Sequence, residues 1–212
     1  MIKVNDVVKT FGDFKALNGA NINVEKGSVY GIVGPNGAGK TTVIKTLTGV
    51  YRPDSGKITI DGEDVYENTK IKSRMMYVSD DLYFFPGYSI KDMASYYRGI
   101  YPDWSDERFH ALNDIFKIDT KRVVRRLSKG MQKQVAFWLA LSANPDVMIL
   151  DEPVDGLDPV MRKNVWSLML ADVAERELTV LVSSHNLREL EDVCDHVGIM
   201  NNGVVVIEKG ID

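Results

Sequence analysis

The sequence predicts an α/β fold: a mostly parallel sheet, preceded by an antiparallel β subdomain and interrupted by an inserted helical subdomain. Three observations carry that reading. Strand-like and helix-like segments alternate in the outer parts of the chain, the order that parallel strands joined by crossover helices leave in a sequence. A glycine-rich loop, Gly34-Pro35-Asn36-Gly37-Ala38-Gly39-Lys40-Thr41, directly follows one apolar run, and a second apolar run ends in paired acids, Asp151-Glu152. Between them the composition changes, with six of the nine tyrosines falling between Tyr77 and Tyr101 and with Phe84, Phe85 and Trp104 among or just after them. The expected division is 1–79 for the first part of the core, 80–144 for the insert and 145–212 for the second part.

Each element has a local cause. Ile22-Asn23-Val24 alternates before the turn Glu25-Lys26-Gly27, and Lys57-Ile58-Thr59-Ile60 alternates before Asp61-Gly62. Residues 28–33 form a short apolar run that stops at glycine, as a buried strand would, and 42–48 have helical character. Pro86-Gly87 and Pro102-Asp103 punctuate two helices, at about 89–98 and 105–116. A third helix, 128–143, opens at the polar turn Leu127-Ser128-Lys129-Gly130-Met131-Gln132, whose helix N-terminus points outward toward phosphate from another molecule. Then follow a strand at 146–150, a helix at 160–175, a strand at 179–183 and a helix at 187–194. Residues 197–200 and 204–208, joined by Asn201-Asn202-Gly203, make a closing hairpin.

Composition narrows the functional classes. A net charge of −4 disfavours nucleic acid as a partner. The single cysteine, Cys194, excludes an internal disulfide and fits a reducing compartment. No basic segment followed by an apolar run marks a signal peptide, and no apolar stretch reaches the roughly 18 residues that span a bilayer. Membrane contact is therefore expected through a partner.

The glycine-rich loop matches the P-loop pattern, between a strand and a helix as its mechanism requires. Gly34, Gly37 and Gly39 let the backbone around Asn36 and Ala38 curl, so that successive N–H groups face phosphate oxygens. The following helix adds its positive end. Lys40 would neutralise the β and γ phosphates, the Thr41 hydroxyl would ligate Mg²⁺, and Thr42 would donate to the α-phosphate. An ordinary glycine-rich turn is the bland alternative, and the correct flanks on both sides argue against it. The second apolar strand delivers Asp151 to the sheet edge where open α/β sheets bind ligands, there to hold Mg²⁺ through water. Glu152, one residue farther, reaches a water in line with the γ-phosphate, as a general base should. Together these parts make a P-loop NTPase core that holds a nucleotide's phosphates with Mg²⁺.

With those parts in order, the chain resembles the ATP-binding cassette (ABC) family of nucleotide-binding domains over essentially its full length. Leu127-Ser128-Lys129-Gly130-Met131 looks like the family's signature loop, Gly156-Leu157-Asp158 its D-loop and Ser183-Ser184-His185 its switch-histidine loop. Phe11 falls where the family stacks an aromatic on adenine. The resemblance implies a head-to-tail pair of cassettes, as a homodimer or a paralogous heterodimer, sandwiching two ATP molecules. Ser128 and the Gly130 N–H would then bind the γ-phosphate held by the other copy, Asp158 would couple the two sites, and His185 would sense the γ-phosphate. It also implies separate transmembrane permease subunits, and a cytoplasmic location on the inner face of the membrane. The run 96–119 is similar to ABC-2 type exporters, including the group that moves antimicrobial or modulin-like peptides.

Departures from the family pattern bound these expectations. Lys129 and Met131 stand where the family often has glycine and glutamine. Asp80 stands where it usually has a glutamine that contacts Mg²⁺ and the attacking water, so Asp80 is a candidate metal and catalytic residue carrying an added charge. The aromatic run Tyr83-Phe84-Phe85-Pro86-Gly87-Tyr88 suits either the insert's own core or a groove for a transmembrane partner. Lys121, Arg122, Arg125 and Arg126 read by default as a solvated face. The competing classes are a cassette acting on DNA or ribosomes and a binding-only regulatory cassette.

Overall fold

The computed structural model describes residues 1–210; Ile211 and Asp212, the end of the second core part, lie outside the described residues. The chain opens with β1 (Ile2–Phe11) and β2 (Phe14–Val24), then β3 (Val29–Val33), α1 (Lys40–Leu47), β4 (Ser55–Ile60), β5 (Glu63–Asp64), α2 (Thr69–Lys72) and β6 (Met75–Val78). The insert supplies α3 (Ile90–Ile100), α4 (Asp106–Phe116) and α5 (Lys129–Ser142). The remainder is β7 (Val147–Asp151), α6 (Pro159–Arg176), β8 (Thr179–Ser184), β9 (His196–Asn201) and β10 (Val204–Gly210).

Two sheets result. An antiparallel sheet has the order β2-β1-β4-β5, and a six-stranded sheet has the order β10-β9-β3-β8-β7-β6. In the larger sheet the pairs β9–β3, β3–β8, β8–β7 and β7–β6 are all parallel, and only β10 runs against β9. The expected mostly parallel sheet, antiparallel β subdomain and closing hairpin are therefore present.

The central strands are buried on both faces, so alternate residues feed two cores. Val147, Ile149 and Leu181 pack toward α1 and the antiparallel sheet with Ile2, Leu17, Ile44 and Leu47. Met148, Leu150, Val180 and Val182 pack on the other face with α5, α6 and the insert. Helix α5 carries Phe137, Trp138 and Leu139, all fully buried. The Trp138 indole stacks on Phe109 at 4.7 Å and donates its N–H to the Phe109 carbonyl at 2.8 Å, locking α4 to α5. Ser89 caps α3 in a reciprocal box with Asp92, and Ser105 caps α4, which explains why both helices start where their serines stand.

The helix expected at 187–194 shrinks to one 3₁₀ turn, Leu187–Glu189. The Asp195 N–H donates to the Val29 carbonyl while its carboxylate accepts from the Val29 N–H, and the chain must turn to bring β9 beside β3. Within the aromatic run Phe84 is buried in the insert core, as one of its two expected roles requires, while Tyr83 and Tyr88 are exposed.

Candidate nucleotide site

The site lies beyond the C-terminal ends of four adjacent strands. In spatial order, β3 leads into the P-loop, β8 into His185, β7 into Glu152 and β6 into Ser79-Asp80. Parallel strands all end on one side of the sheet, so residues far apart in sequence converge there.

Gly39 opens α1 with φ of 107°, a left-handed conformation natural to glycine. The loop it closes is tied to the β9–β10 turn, where the Gly203 N–H donates to the Ala38 carbonyl at 2.9 Å. Lys40 is buried and donates to the Gly34 carbonyl at 2.7 Å; its ammonium also lies 3.7 Å from Glu152 Oε1. Thr41 is exposed at the first turn of α1. A hollow of about 300 Å³ is lined by Asn36, Gly37, Ala38, Gly39, Lys40, Thr41 and Thr42, with Phe14, Ala16, Asp80 and Glu152 around it.

The paired acids are held differently. Asp151 is buried, and one of its oxygens accepts the Ser183 hydroxyl at 2.6 Å. The same hydroxyl accepts the Glu152 N–H at 3.1 Å. Glu152 adopts φ of 46°, left-handed for a residue with a side chain. Its carboxylate is 3.1 Å from His185 Nδ1 and accepts the His185 N–H at 3.3 Å. The hydrogen bond and negative charge of Glu152 raise the His185 pKa above its usual value.

The other expected residues are placed as follows. Phe11 is exposed and meets Tyr51 edge-on at 5.2 Å, whereas Phe14, across the hairpin turn, lines the hollow. Ser128 caps α5, accepting the Met131 N–H at 3.3 Å, and is exposed. Gly130 packs so closely that a Cβ there would lie 2.8 Å from the Gly156 carbonyl, joining the signature turn to the loop before Asp158. Asp158 caps α6 through the Val160 and Met161 N–H groups. Asp80 lines the hollow but pairs with Lys133 at 3.5 Å. Sequence reasoning missed Phe14, Lys133 and the role of Ser183. A hydroxyl closing an otherwise apolar strand was the available signal for Ser183. For Lys133 there was none, because its burial depends on tertiary packing.

A P-loop whose lysine meets a glutamate from the second strand along, beside a histidine from the strand between them, defines a nucleotide-hydrolysing cassette. The ABC transporter family profile matches residues 17–155. The chain is 32% identical over 212 residues to the ABC transporter ATP-binding protein YtrB of Bacillus subtilis, covering 100% of this chain and 73% of that one. It is 35% identical over 221 residues to the bacitracin transport ATP-binding protein BcrA of Bacillus licheniformis, covering 100% and 70%. A solved ATP-binding subunit of an ABC transporter superposes with a TM-score of 0.93 at 25% identity, covering 100% of this chain and 90% of that one. The chain belongs to the ABC transporter family and is an ATP-binding, ATP-hydrolysing subunit. Cassettes of the family dimerise and work with transmembrane domains. Among the described residues no helix is long and apolar enough to cross a membrane.

Proposed function

We propose that this chain powers an exporter of peptides or other amphipathic compounds, as one of two head-to-tail cassettes on the cytoplasmic side of separate permease subunits. The supporting observation is the convergence of Lys40, Glu152 and His185 at the ends of β3, β7 and β8. Lys40 and the loop amides bind the phosphates. Glu152 takes the proton of the attacking water, and His185 holds the Glu152 carboxylate and responds to the γ-phosphate. The aromatic face of Phe11, with Phe14 beside the hollow, receives the adenine.

The donor set suits Mg²⁺, since the exposed Thr41 hydroxyl and the Asp151 oxygen left over from Ser183 are hard oxygen ligands. Thr41 and Asp151 would hold the ion, which supplies charge neutralisation for phosphoryl transfer. An exposed Ser128 at a helix N-terminus suits the γ-phosphate of a second copy. The cargo class and direction draw on relatives, one named for bacitracin transport and another, from Burkholderia lata, for Nod factor export.

The test joins two variants. Glu152→Gln should bind ATP, dimerise and lose turnover by at least about a hundredfold. Ser128→Arg should bind ATP as a monomer and neither dimerise nor turn over. Normal turnover in Glu152→Gln would overturn the assignment of the base, and normal dimerisation of Ser128→Arg would overturn the two-copy site. A wild-type chain that dimerises with ATP but releases no phosphate would instead be a binding-only cassette.

A further inference from the structure

Lys133 is a lysine on the buried face of α5, 5% exposed, in a helix that continues as Val135-Ala136-Phe137-Trp138-Leu139. An ammonium at such a position is costly unless oxygens surround it. Two oxygens do. Its Nζ donates to the main-chain carbonyl of Glu152 at 2.8 Å and lies 3.5 Å from the carboxylate of Asp80. Three separate segments meet at one atom: the loop after β6, the signature helix and the loop after β7.

The partner carbonyl belongs to the residue with φ of 46°. A left-handed conformation is unfavourable for a residue with a Cβ and persists only where its surroundings over-determine it. At Glu152 both peptide groups are held by side chains, the N–H by Ser183 and the carbonyl by Lys133. Asp80 is the third acid at a site that already holds Asp151 and Glu152, and its side chain remains 61% exposed to the hollow. The ammonium beside it supplies the opposing charge.

We infer that Lys133 is a positioning residue for hydrolysis, fixing the Glu152 peptide and balancing the carboxylate of Asp80. The inference rests on Glu152 acting as the base. It makes Asp80 and Lys133 a coupled pair, so that the acid at position 80 is tolerated because position 133 is a lysine.

The experiment is a set of variants measured for kcat, for affinity toward a fluorescent ATP analogue and for thermal unfolding. Lys133→Met keeps the stem and removes the donor. It should lower kcat at least about tenfold while affinity shifts less than about threefold, because the P-loop contacts are untouched. Lys133→Gln keeps a donor and removes the charge. It should lower kcat about fivefold beside Asp80 but less than about twofold in an Asp80→Gln background, a coupling that a merely structural lysine would not show. Wild-type kcat in Lys133→Met, or equal losses from Lys133→Gln in both backgrounds, would overturn the inference. If Lys133→Met fails to fold, the two Lys133→Gln backgrounds decide alone. Normal turnover in Glu152→Gln would overturn the base assignment instead, a result distinguishable from failure of the Lys133 coupling.

Discussion

Removing the Arg108 side chain should loosen the attachment of the helical insert to the core by a predictable amount. Arg108 on α4 reaches across to Asp172 on α6, with one guanidinium nitrogen 2.6 Å from each carboxylate oxygen, and another nitrogen donates to Asn144 at 3.0 Å. Asp172 is 4% exposed and also accepts from Arg176 at 3.0 Å. Deleting one partner of a buried pair costs roughly 3–5 kcal/mol, because the other charge is stranded. Here Arg176 stays on Asp172 and the Arg108 side chain is 23% exposed, so Arg108→Met should cost about 2–3 kcal/mol. For a chain of this size that corresponds to a fall in Tm of about 4–12 °C. Thermal and urea unfolding followed by tryptophan fluorescence would read the Tm and the free energy, since Trp104 and Trp138 lie in the insert and Trp166 on α6. A double change, Arg108→Met with Asp172→Leu, should be less damaging than the sum of the singles by more than about 1 kcal/mol. A Tm loss below about 2 °C, or strict additivity, would refute the argument that this pair anchors the insert.

Two further outcomes concern single titrating groups. The His185 pKa should lie above the ordinary 6.5 and fall back toward it in Glu152→Gln, measured by NMR of the ring protons with His185→Asn as the assignment control. The sign follows from a raised folded-state value: the His185–Glu152 attraction is fully present below the unfolded pKa and is lost as pH rises through the folded one. An identical titration in both proteins would remove Glu152 as the cause. Burial pushes the Cys194 thiol up to about 12, so native protein at pH 8 should react with a thiol reagent far more slowly than urea-unfolded protein. Equal rates would show that the region around Leu190 and Val193 opens readily.

Much of the site was legible because its parts are local patterns with fixed backbone consequences. The P-loop glycines, the acids ending β7 and the serines capping α3, α4 and α5 each act within a few residues. The turn at Asn201-Asn202-Gly203 was legible for the same reason. What escaped depends on distant partners. β1 has no counterpart among the elements expected from the sequence: Asp6, at φ of 48°, sits where the strand's register with β2 shifts, so its alternation is interrupted. β6 has only four residues and depends on Val147–Leu150 beside it. The overlong helix at 187–194 followed a helical-looking pattern that the tie between Asp195 and Val29 overrides. Phe14 and Lys133 acquire their places only when the hairpin folds over the P-loop and α5 packs beneath the loop of Glu152.

The strand order has a consequence during synthesis. β8 lies between β3 and β7, so the strand that brings the P-loop and Glu152 together is made after both. A ribosome that has released residues 1–151 has produced the P-loop and the whole of β7, yet the sheet position between β3 and β7 is still empty. Pairings of such long sequence separation form slowly, and domains fold as units during translation. Nascent chains stalled before Thr179 should therefore hydrolyse no ATP, so that an incomplete cassette consumes no nucleotide.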